Sequence, residues 1–342
     1  MKALKVIKAG ELTAQEVNVP KLRLGFCLVQ VKAVALNPTD FKHLHGIECT
    51  GCTLGCDYAG IVEEVGADSI LKRGDRVAGF VHGGNIAHPE DGTFAEYVLV
   101  REGLQCIIPE GMRFEEAASL GVAITTVGMA LCQSLKLPLP IETCSQNLWV
   151  LIYGGSTATG TVAIQTAKLA GLNVITTCSP SNFALVKSLG ASAAFDYRDV
   201  DCGEAIHAYT QGSMHHAFDC ISDDASAVVC AKALAQSTSS QPSRYCSTLP
   251  VQCPREDVVS NFVLAYTATG EAFHKFIDFP ANLEDYEFAR NFFGVFQQLL
   301  DEGKVQHHPV EVREGGLEGV PTGLEDLKEG RVSAKKLVYR IS

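Results

Sequence analysis

At 342 residues, with 46% hydrophobic and 20% charged residues, the chain is long enough for two domains with separate cores. A formal net charge of −11 argues against nucleic acid or an anionic membrane as the main partner. No apolar run reaches bilayer length, the start Met1-Lys2-Ala3-Leu4-Lys5 lacks the apolar core of a signal sequence, and thirteen scattered cysteines read as free thiols; together these predict a cytoplasmic protein.

As far as about Leu120 the chain shows short strand-like runs at 28–34, 60–65, 76–81 and 94–100. Gly74-Asp75 and Gly83-Gly84 punctuate them, which predicts a compact barrel-like β domain. The pattern then changes. An apolar run at 148–153 stops at Gly154-Gly155, a small hydroxyl-rich turn follows, and a helix runs from Gly160 over 161–170. A strand, a small-residue turn and a helix start make a phosphate cradle, because free N–H groups and the helix dipole face an anion placed there. Further strands are expected at 173–178, 193–197, 216–221 and 244–249, with Ser179-Pro180-Ser181 opening a helix over 182–188. This alternation predicts an α/β, doubly wound parallel sheet. Residues 236–243 read as a surface loop, 285–302 as an amphipathic helix, and 336–341 as a strand returning to the first domain. The expected organisation is 1–125 plus 285–342, with 126–284 inserted as the dinucleotide-binding domain.

Many short motifs now align. They are Ala35-Leu36-Asn37-Pro38-Thr39-Asp40, Leu54-Gly55-Cys56-Asp57-Tyr58-Ala59-Gly60, Lys72-Arg73-Gly74-Asp75-Arg76-Val77, Gly92-Thr93-Phe94-Ala95-Glu96-Tyr97 and Ile108-Pro109-Glu110-Gly111. In this order the chain resembles the medium-chain dehydrogenase/reductase superfamily, which implies a Rossmann domain inserted into a GroES-like β-barrel catalytic domain. Tyr153 to Thr159, Thr177 to Phe183, Phe195 to Arg198 and Val305 to Pro309 make it most similar to the fungal trans-acting enoyl reductases of polyketide biosynthesis.

Zinc members of that superfamily carry a cysteine shortly before the Thr-Asp pair and a Gly-His-Glu motif. Here the positions read Asn37-Pro38-Thr39-Asp40 and Gly55-Cys56-Asp57, so the resemblance is to the zinc-free branch. Cys49, Cys52 and Cys56 form a C-x2-C-x3-C cluster that would need His43 or His45 as a fourth ligand; the other reading is a loop with free thiols. The expectation is no metal.

For the cofactor, Thr176-Thr177-Cys178-Ser179 has no carboxylate where NAD-specific strands carry one. Ser179 and Asn182 can donate to a 2′-phosphate, with Pro180-Ser181 at the helix start, so NADPH is expected; Lys187 is either an extra cation or a solvated lysine. Resemblance assigns Ser156, Thr157, Ala158 and Thr159 to the pyrophosphate and places Tyr197 by the 2′-phosphate. It puts Thr248 and Leu249 beside the nicotinamide, Ala334 and Lys335 on the enclosing tail, and Thr39, Asp40, Phe41 and Lys42 on the cofactor side of the cleft.

Reduction of an enoyl thioester needs a proton at the α carbon. Lys42 is the first candidate and Thr126 the second; their bland readings are a surface lysine and a helix-packing hydroxyl, and water is a third source. The pairs His215-His216 and His307-His308 read as structural, since adjacent residues on a strand face opposite ways. Family analogy gives the substrate walls as Leu120, Gly121, Val122, Ala123, Ile124, Thr125, Thr126 and Val127, with Leu264, Ala265, Tyr266, Thr267 and Ala268.

The implied function is NADPH-dependent reduction, in trans, of a polyketide chain held on the carrier protein of a highly reducing polyketide synthase or synthase–peptide synthetase hybrid. Alternatives are a zinc-independent quinone or enone reductase on free molecules, and a non-catalytic NADPH-binding partner protein. A monomer is expected.

Overall fold

The computed structural model describes residues 1–67, 69–141 and 147–342. The chain opens with an antiparallel hairpin, β1 (Lys2–Lys8) and β2 (Glu11–Glu16). Next comes the longest strand, β3 (Phe26–Ala35), apolar and buried along most of its length. Helix α1 (Pro38–Gly46) follows. Asn37 caps it, Pro38 occupies its first turn with no N–H to lose, and the Asp40 carboxylate accepts the Asn37 N–H at 2.7 Å. Strands β4 (Asp57–Val65), β5 (Arg76–Phe80), β6 (Tyr97–Arg101) and β7 (Gln105–Ile107) come next. Strand β6 starts three residues later than the sequence pattern suggested, because Phe94 and Ala95 bridge to β1 instead.

Two helices, α2 (Phe114–Ala117) and α3 (Gly121–Val127), lead into a π-helical stretch, Gly128–Ser134. The whole helical run 114–134 is apolar and long enough to cross a bilayer, contrary to the reading of the sequence, and 78% of its most apolar window is buried inside the protein.

The inserted unit alternates strand and helix as far as β12 and closes with a sixth strand: β8 (Trp149–Tyr153), α4 (Ala158–Leu169), β9 (Asn173–Thr177), α5 (Phe183–Ser188), β10 (Ala193–Phe195), α6 (Cys202–Tyr209), β11 (His216–Asp219), α7 (Asp224–Ala233), β12 (Arg244–Ser247) and β13 (Val259–Phe262). All strands pair in parallel, in the order β10-β9-β8-β11-β12-β13. Numbered within the unit this is 3-2-1-4-5-6, so strand order reverses beside β8, the place where open α/β sheets bind ligands.

The chain then returns through a 3₁₀ turn (Ala265–Thr269), a short hairpin of β14 (Phe273–His274) and β15 (Asp278–Phe279), α8 (Leu283–Asp301), β16 (Val310–Arg313), α9 (Gly316–Lys328) and β17 (Lys336–Arg340). Strand β17 lies antiparallel on β3, as the tail's β character implied. A mixed sheet ordered β16-β17-β3-β4-β5-β7, with β6 also on β3, surrounds a core of Val29, Val31, Leu54, Tyr58, Phe94, Leu337 and Tyr339.

The two compact units are Met1–Thr125 with Tyr266–Ser342, and Thr126–Ala265. Residues 266–284, assigned by the sequence to the insertion, belong to the first unit. The reason is aromatic: Tyr266 and Phe273 pack on His82 with ring centroids 4.1 and 4.8 Å away.

Candidate active site

In the inserted unit the chain leaves β8 at Gly154, whose φ of +81° is the left-handed region that suits glycine. Gly160 lies where a Cβ would come 2.3 Å from the Gly154 carbonyl oxygen, so only glycine lets α4 pack this close to the turn. Thr157 caps the helix: its Oγ1 accepts the Gly160 N–H at 2.9 Å and donates to the Gly154 carbonyl at 2.8 Å. A threonine thus closes the turn where the fingerprint usually has glycine. The N–H groups of Ser156, Ala158 and Thr159 have no partner among the described residues, and all three residues are partly exposed. Three free donors at the positive end of a helix form an anion cradle. These residues fit a dinucleotide pyrophosphate.

At the end of β9, Ser179 leads into the 3₁₀ turn Pro180–Asn182, and its side chain is not used as a cap. Ser179 and Asn182 are partly exposed and Ser181 exposed, so their polar groups are free to meet a ligand; Lys187 is exposed one turn later. The sequence reading found no carboxylate here. The structure brings one near: Asp196 follows β10, which pairs with β9, and the Cys178 thiol is pushed up to about 11 by burial, with the Asp196 charge adding to it. Arg198 clamps Asp196 with two hydrogen bonds, 2.9 and 2.7 Å, and lies over the Tyr197 ring at 5.8 Å. Thr248 is held past β12 by Ser222, which accepts its N–H at 2.8 Å, and Ser247 Oγ donates to the Leu249 carbonyl at 2.7 Å. Buried Asp219 fixes this end of the sheet, accepting from the Ile221 and Ser222 N–H groups and from the Ser226 and Tyr245 hydroxyls.

In the other unit, a buried lysine joins Asn37 and Asp57. The Lys336 ammonium meets Asp57 Oδ2 at 2.7 Å and Asn37 Oδ1 at 2.6 Å, and both carboxylate and lysine are buried. Asn37 Nδ2 also donates to Asp57 Oδ2 at 2.9 Å, and the Val122 N–H to Asp57 Oδ1 at 2.6 Å. One node therefore ties the starts of α1, β4, α3 and β17, and orients Thr39 and Asp40. Burial pushes the Asp40 carboxyl up to about 7. Phe41 is partly buried; Lys42 is exposed, with partial burial lowering its pKa and no carboxylate bonded to it among the described residues. Ala334 adopts φ +51°, a strained angle for alanine, just before β17, and Lys335 pairs with Glu311 at 3.4 Å.

Thr39 meets a group the sequence reading did not assemble. Its Oγ1 lies 2.7 Å from the hydroxyl of Tyr266, which was expected in the substrate wall and is instead only 6% exposed. Around Tyr266 sit His43, His82, Phe273 and Lys275, with Cys56 Sγ 3.8 Å from its hydroxyl. Burial pushes His43 down to about 4 and lowers His82 well below its ordinary value, so both imidazoles are neutral near pH 7. The buried Nε2 of His82 has no hydrogen-bond partner among the described residues.

The other expected residues fall as follows. Leu120, Gly121, Ala123, Ile124, Thr125, Thr126 and Val127 are buried in or beside α3, leaving Val122 partly exposed; Leu264, Ala265 and Thr267 are partly exposed and Ala268 buried. Thr125 Oγ1 is spent on the Gly121 carbonyl, while Thr126 Oγ1 has no hydrogen-bond partner among the described residues. Cys49, Cys52 and Cys56 are buried thiols, the first two pushed up to about 11 and about 12 by burial. Among the described residues no three His, Cys, Asp or Glu side chains gather as a metal site. Cys144 lies outside the described residues. Of the two histidine pairs, His215 bonds Ser243 and His307 its neighbour's carbonyl.

Residues 24–110 match the alcohol dehydrogenase GroES-like domain, and residues 158–237 the zinc-binding dehydrogenase family. The trans-enoyl reductase ACTTS2 of Alternaria alternata is 46% identical, covering 99% of this chain and 98% of that protein. The chain belongs to the trans-enoyl reductases of the medium-chain dehydrogenase/reductase superfamily. The trans-enoyl reductase resD of Aspergillus sclerotiorum is also 46% identical, over 94% of each chain. A solved structure of a zinc-dependent alcohol dehydrogenase-type protein from Rhizobium etli CFN 42 shares the fold with a TM-score of 0.83, at 25% identity over 99% of this chain and 98% of that one. The chain is thus an oxidoreductase of a family that uses a nicotinamide dinucleotide.

Proposed function

We propose that this protein reduces the α,β double bond of a polyketide thioester carried by the acyl carrier protein of a highly reducing polyketide synthase, in the cytoplasm, as a monomer and with NADPH. The observation that carries the reading is near-full-length similarity to named trans-enoyl reductases, joined to the anion cradle at Gly154–Thr159.

When bound, the nicotinamide supplies hydride; the chain's residues hold and polarise. Ser156, Ala158 and Thr159 would take the pyrophosphate through their N–H groups. Ser179 and Asn182 would donate to the 2′-phosphate. Arg198 neutralises Asp196 nearby, which supports the phosphorylated cofactor over NADH. Thr248 and Leu249 would border the nicotinamide, Thr39, Phe41 and Lys42 its ribose side, and Ala334 and Lys335 the tail side. Thr126 Oγ1 is available to donate to the thioester carbonyl. No metal is needed in this reading: conjugation already activates the alkene, and hydride at the β carbon sends charge to the thioester oxygen, where a hydrogen bond stabilises it.

The test incubates purified protein with crotonyl-pantetheine and either NADPH or NADH, following cofactor oxidation and product mass, with a metal assay on the same sample. Saturated thioester formed with NADPH supports the reading. Equal rates with NADH defeat the cofactor assignment, and turnover of quinones but not thioesters defeats the substrate assignment.

A further inference from the structure

Lys275, at the tip of the β14–β15 hairpin, has no part in the reading above. It is half-buried, and among the described residues its ammonium meets no carboxylate. It lies 3.8 Å from the centre of the Tyr266 ring, and its hydrogen-bond partner is Nε2 of His43. An ammonium carries only donors, so His43 Nε2 must accept. His43 is therefore a neutral ring with its proton on Nδ1, which donates to the Thr39 carbonyl at 2.7 Å and lies 3.3 Å from Thr39 Oγ1. Thr39 Oγ1 reaches the Tyr266 hydroxyl at 2.7 Å. Lys275, His43, Thr39 and Tyr266 make one hydrogen-bonded line. Beside it the buried Nε2 of His82, without a partner among the described residues, marks a place for a further polar group.

We propose that this line is a proton relay, entered at Lys275 and ending at the Thr39–Tyr266 hydroxyl pair, which delivers the proton to the substrate's α carbon. The proposal rests on the enoyl-reductase reading. Hydride gain at the β carbon breaks the alkene π bond and leaves its electron pair on the enolate. The α carbon forms a C–H bond with the proton of the Thr39 hydroxyl. His43 gives its Nδ1 proton to that oxygen and takes the Lys275 proton on Nε2, ending as the other tautomer. Lys275, now an amine, is refilled by water at its exposed side. One hydride and one proton are consumed, and the protein returns to its starting state once His43 resets.

The groups facing Lys275 are His43 from α1, Cys49 and Cys56 from the segment before β4, His82 beyond β5, and Tyr266. At neutral pH none carries a charge: the thiols and phenol are pushed up by burial and the imidazoles down. Burial with no counter-charge brings Lys275 down to about 8, within reach of proton exchange at working pH.

The experiment compares wild type with Lys275→Met and Lys275→Arg across pH, using crotonyl-pantetheine and NADPH, and records nitrogen NMR of ¹⁵N-histidine-labelled protein. Lys275→Met is expected to lower kcat by about 10²-fold, to flatten the alkaline limb near pH 8, and to leave NADPH affinity unchanged. Lys275→Arg keeps the charge but cannot release a proton at this pH, so it stays slow. His43 is expected as the Nδ1–H tautomer in wild type, with its Nε2 resonance moving in Lys275→Met. An active wild type with an unaltered pH profile in Lys275→Met, or full rescue by Lys275→Arg, overturns the relay alone. A wild type that turns over no enoyl thioester overturns the functional reading and the relay with it, whereas the NMR tautomer reports the Lys275–His43 link without turnover.

Discussion

Between Tyr153 and Gly160 the inserted unit presents free main-chain N–H groups, whereas around Tyr266 the other unit gathers side chains from positions 39 to 275. A backbone site is set by where the chain can bend and how closely a helix can approach a strand. It tolerates a change of side chain, as Thr157 shows by capping α4 where glycine is usual. A side-chain cluster has no such tolerance, because each member is held by the others and by buried polar groups that have no water to fall back on.

The largest effect tests the support beneath the cluster. Lys336→Met leaves Asp57 buried without its cation, which costs about 3–5 kcal/mol and is expected to lower the melting temperature by roughly 8 °C or more, read by calorimetry. An unchanged melting temperature would mean that the node at Asn37, Asp57 and Lys336 does not hold the unit together.

Next in size is Gly160→Val. Its side chain would drive α4 away from the Gly154 carbonyl, with strain of about 2 kcal/mol or more. The expected result is a loss of about a hundredfold in NADPH affinity by fluorescence titration, with the melting curve of the Tyr266 side little altered. Retained affinity would show that the cradle does not depend on close helix packing.

A smaller, selective change is expected for Arg198→Gln. Freed from its clamp, Asp196 repels a 2′-phosphate, so KM for NADPH should rise by about tenfold while KM for NADH stays constant. A parallel rise for both cofactors would count against a role in recognising the phosphate.

The smallest effect at neutral pH concerns Asp40. Burial raises its pKa to about 7, so the folded protein keeps a proton that the unfolded chain releases near pH 4. That contribution to stability is complete below about pH 4 and fades as pH rises through about 7. Asp40→Asn removes the fade. Between pH 5 and 8 the wild-type melting temperature should therefore fall relative to the variant's; a constant difference would mean that Asp40 is not buried as an acid.

The same contrast explains what could be read from the sequence. The run Trp149–Tyr153, the glycines and α4 are contiguous, so a local pattern reveals the cradle and, with the strands that follow, the doubly wound sheet. The β17 tail was legible for the same reason, as an alternating apolar segment. Thr39 and Tyr266 were both singled out, but for separate roles, since nothing local says that residues 227 positions apart share a hydrogen bond. His43 drew notice only as a spare metal ligand. Lys275 sits at a hairpin tip with no periodic pattern around it, and Lys336 reads as an ordinary strand residue until Asp57 is seen facing it. Arg198 lay inside a quoted motif, yet its grip on Asp196 depends on the loop after β10. The return at Tyr266 rather than 285 was hidden because aromatic packing, not a composition shift, decides which unit owns that segment.

The central claim is hydride delivery to the β carbon of an enoyl thioester. It is tested most directly by a single turnover with 4-deuterated NADPH and crotonyl-pantetheine in ordinary water, followed by mass spectrometry and NMR of the product. Butyryl-pantetheine bearing one deuterium at the β carbon and a solvent proton at the α carbon is the predicted result. Deuterium found elsewhere, or oxidised cofactor without saturated thioester, would contradict the account.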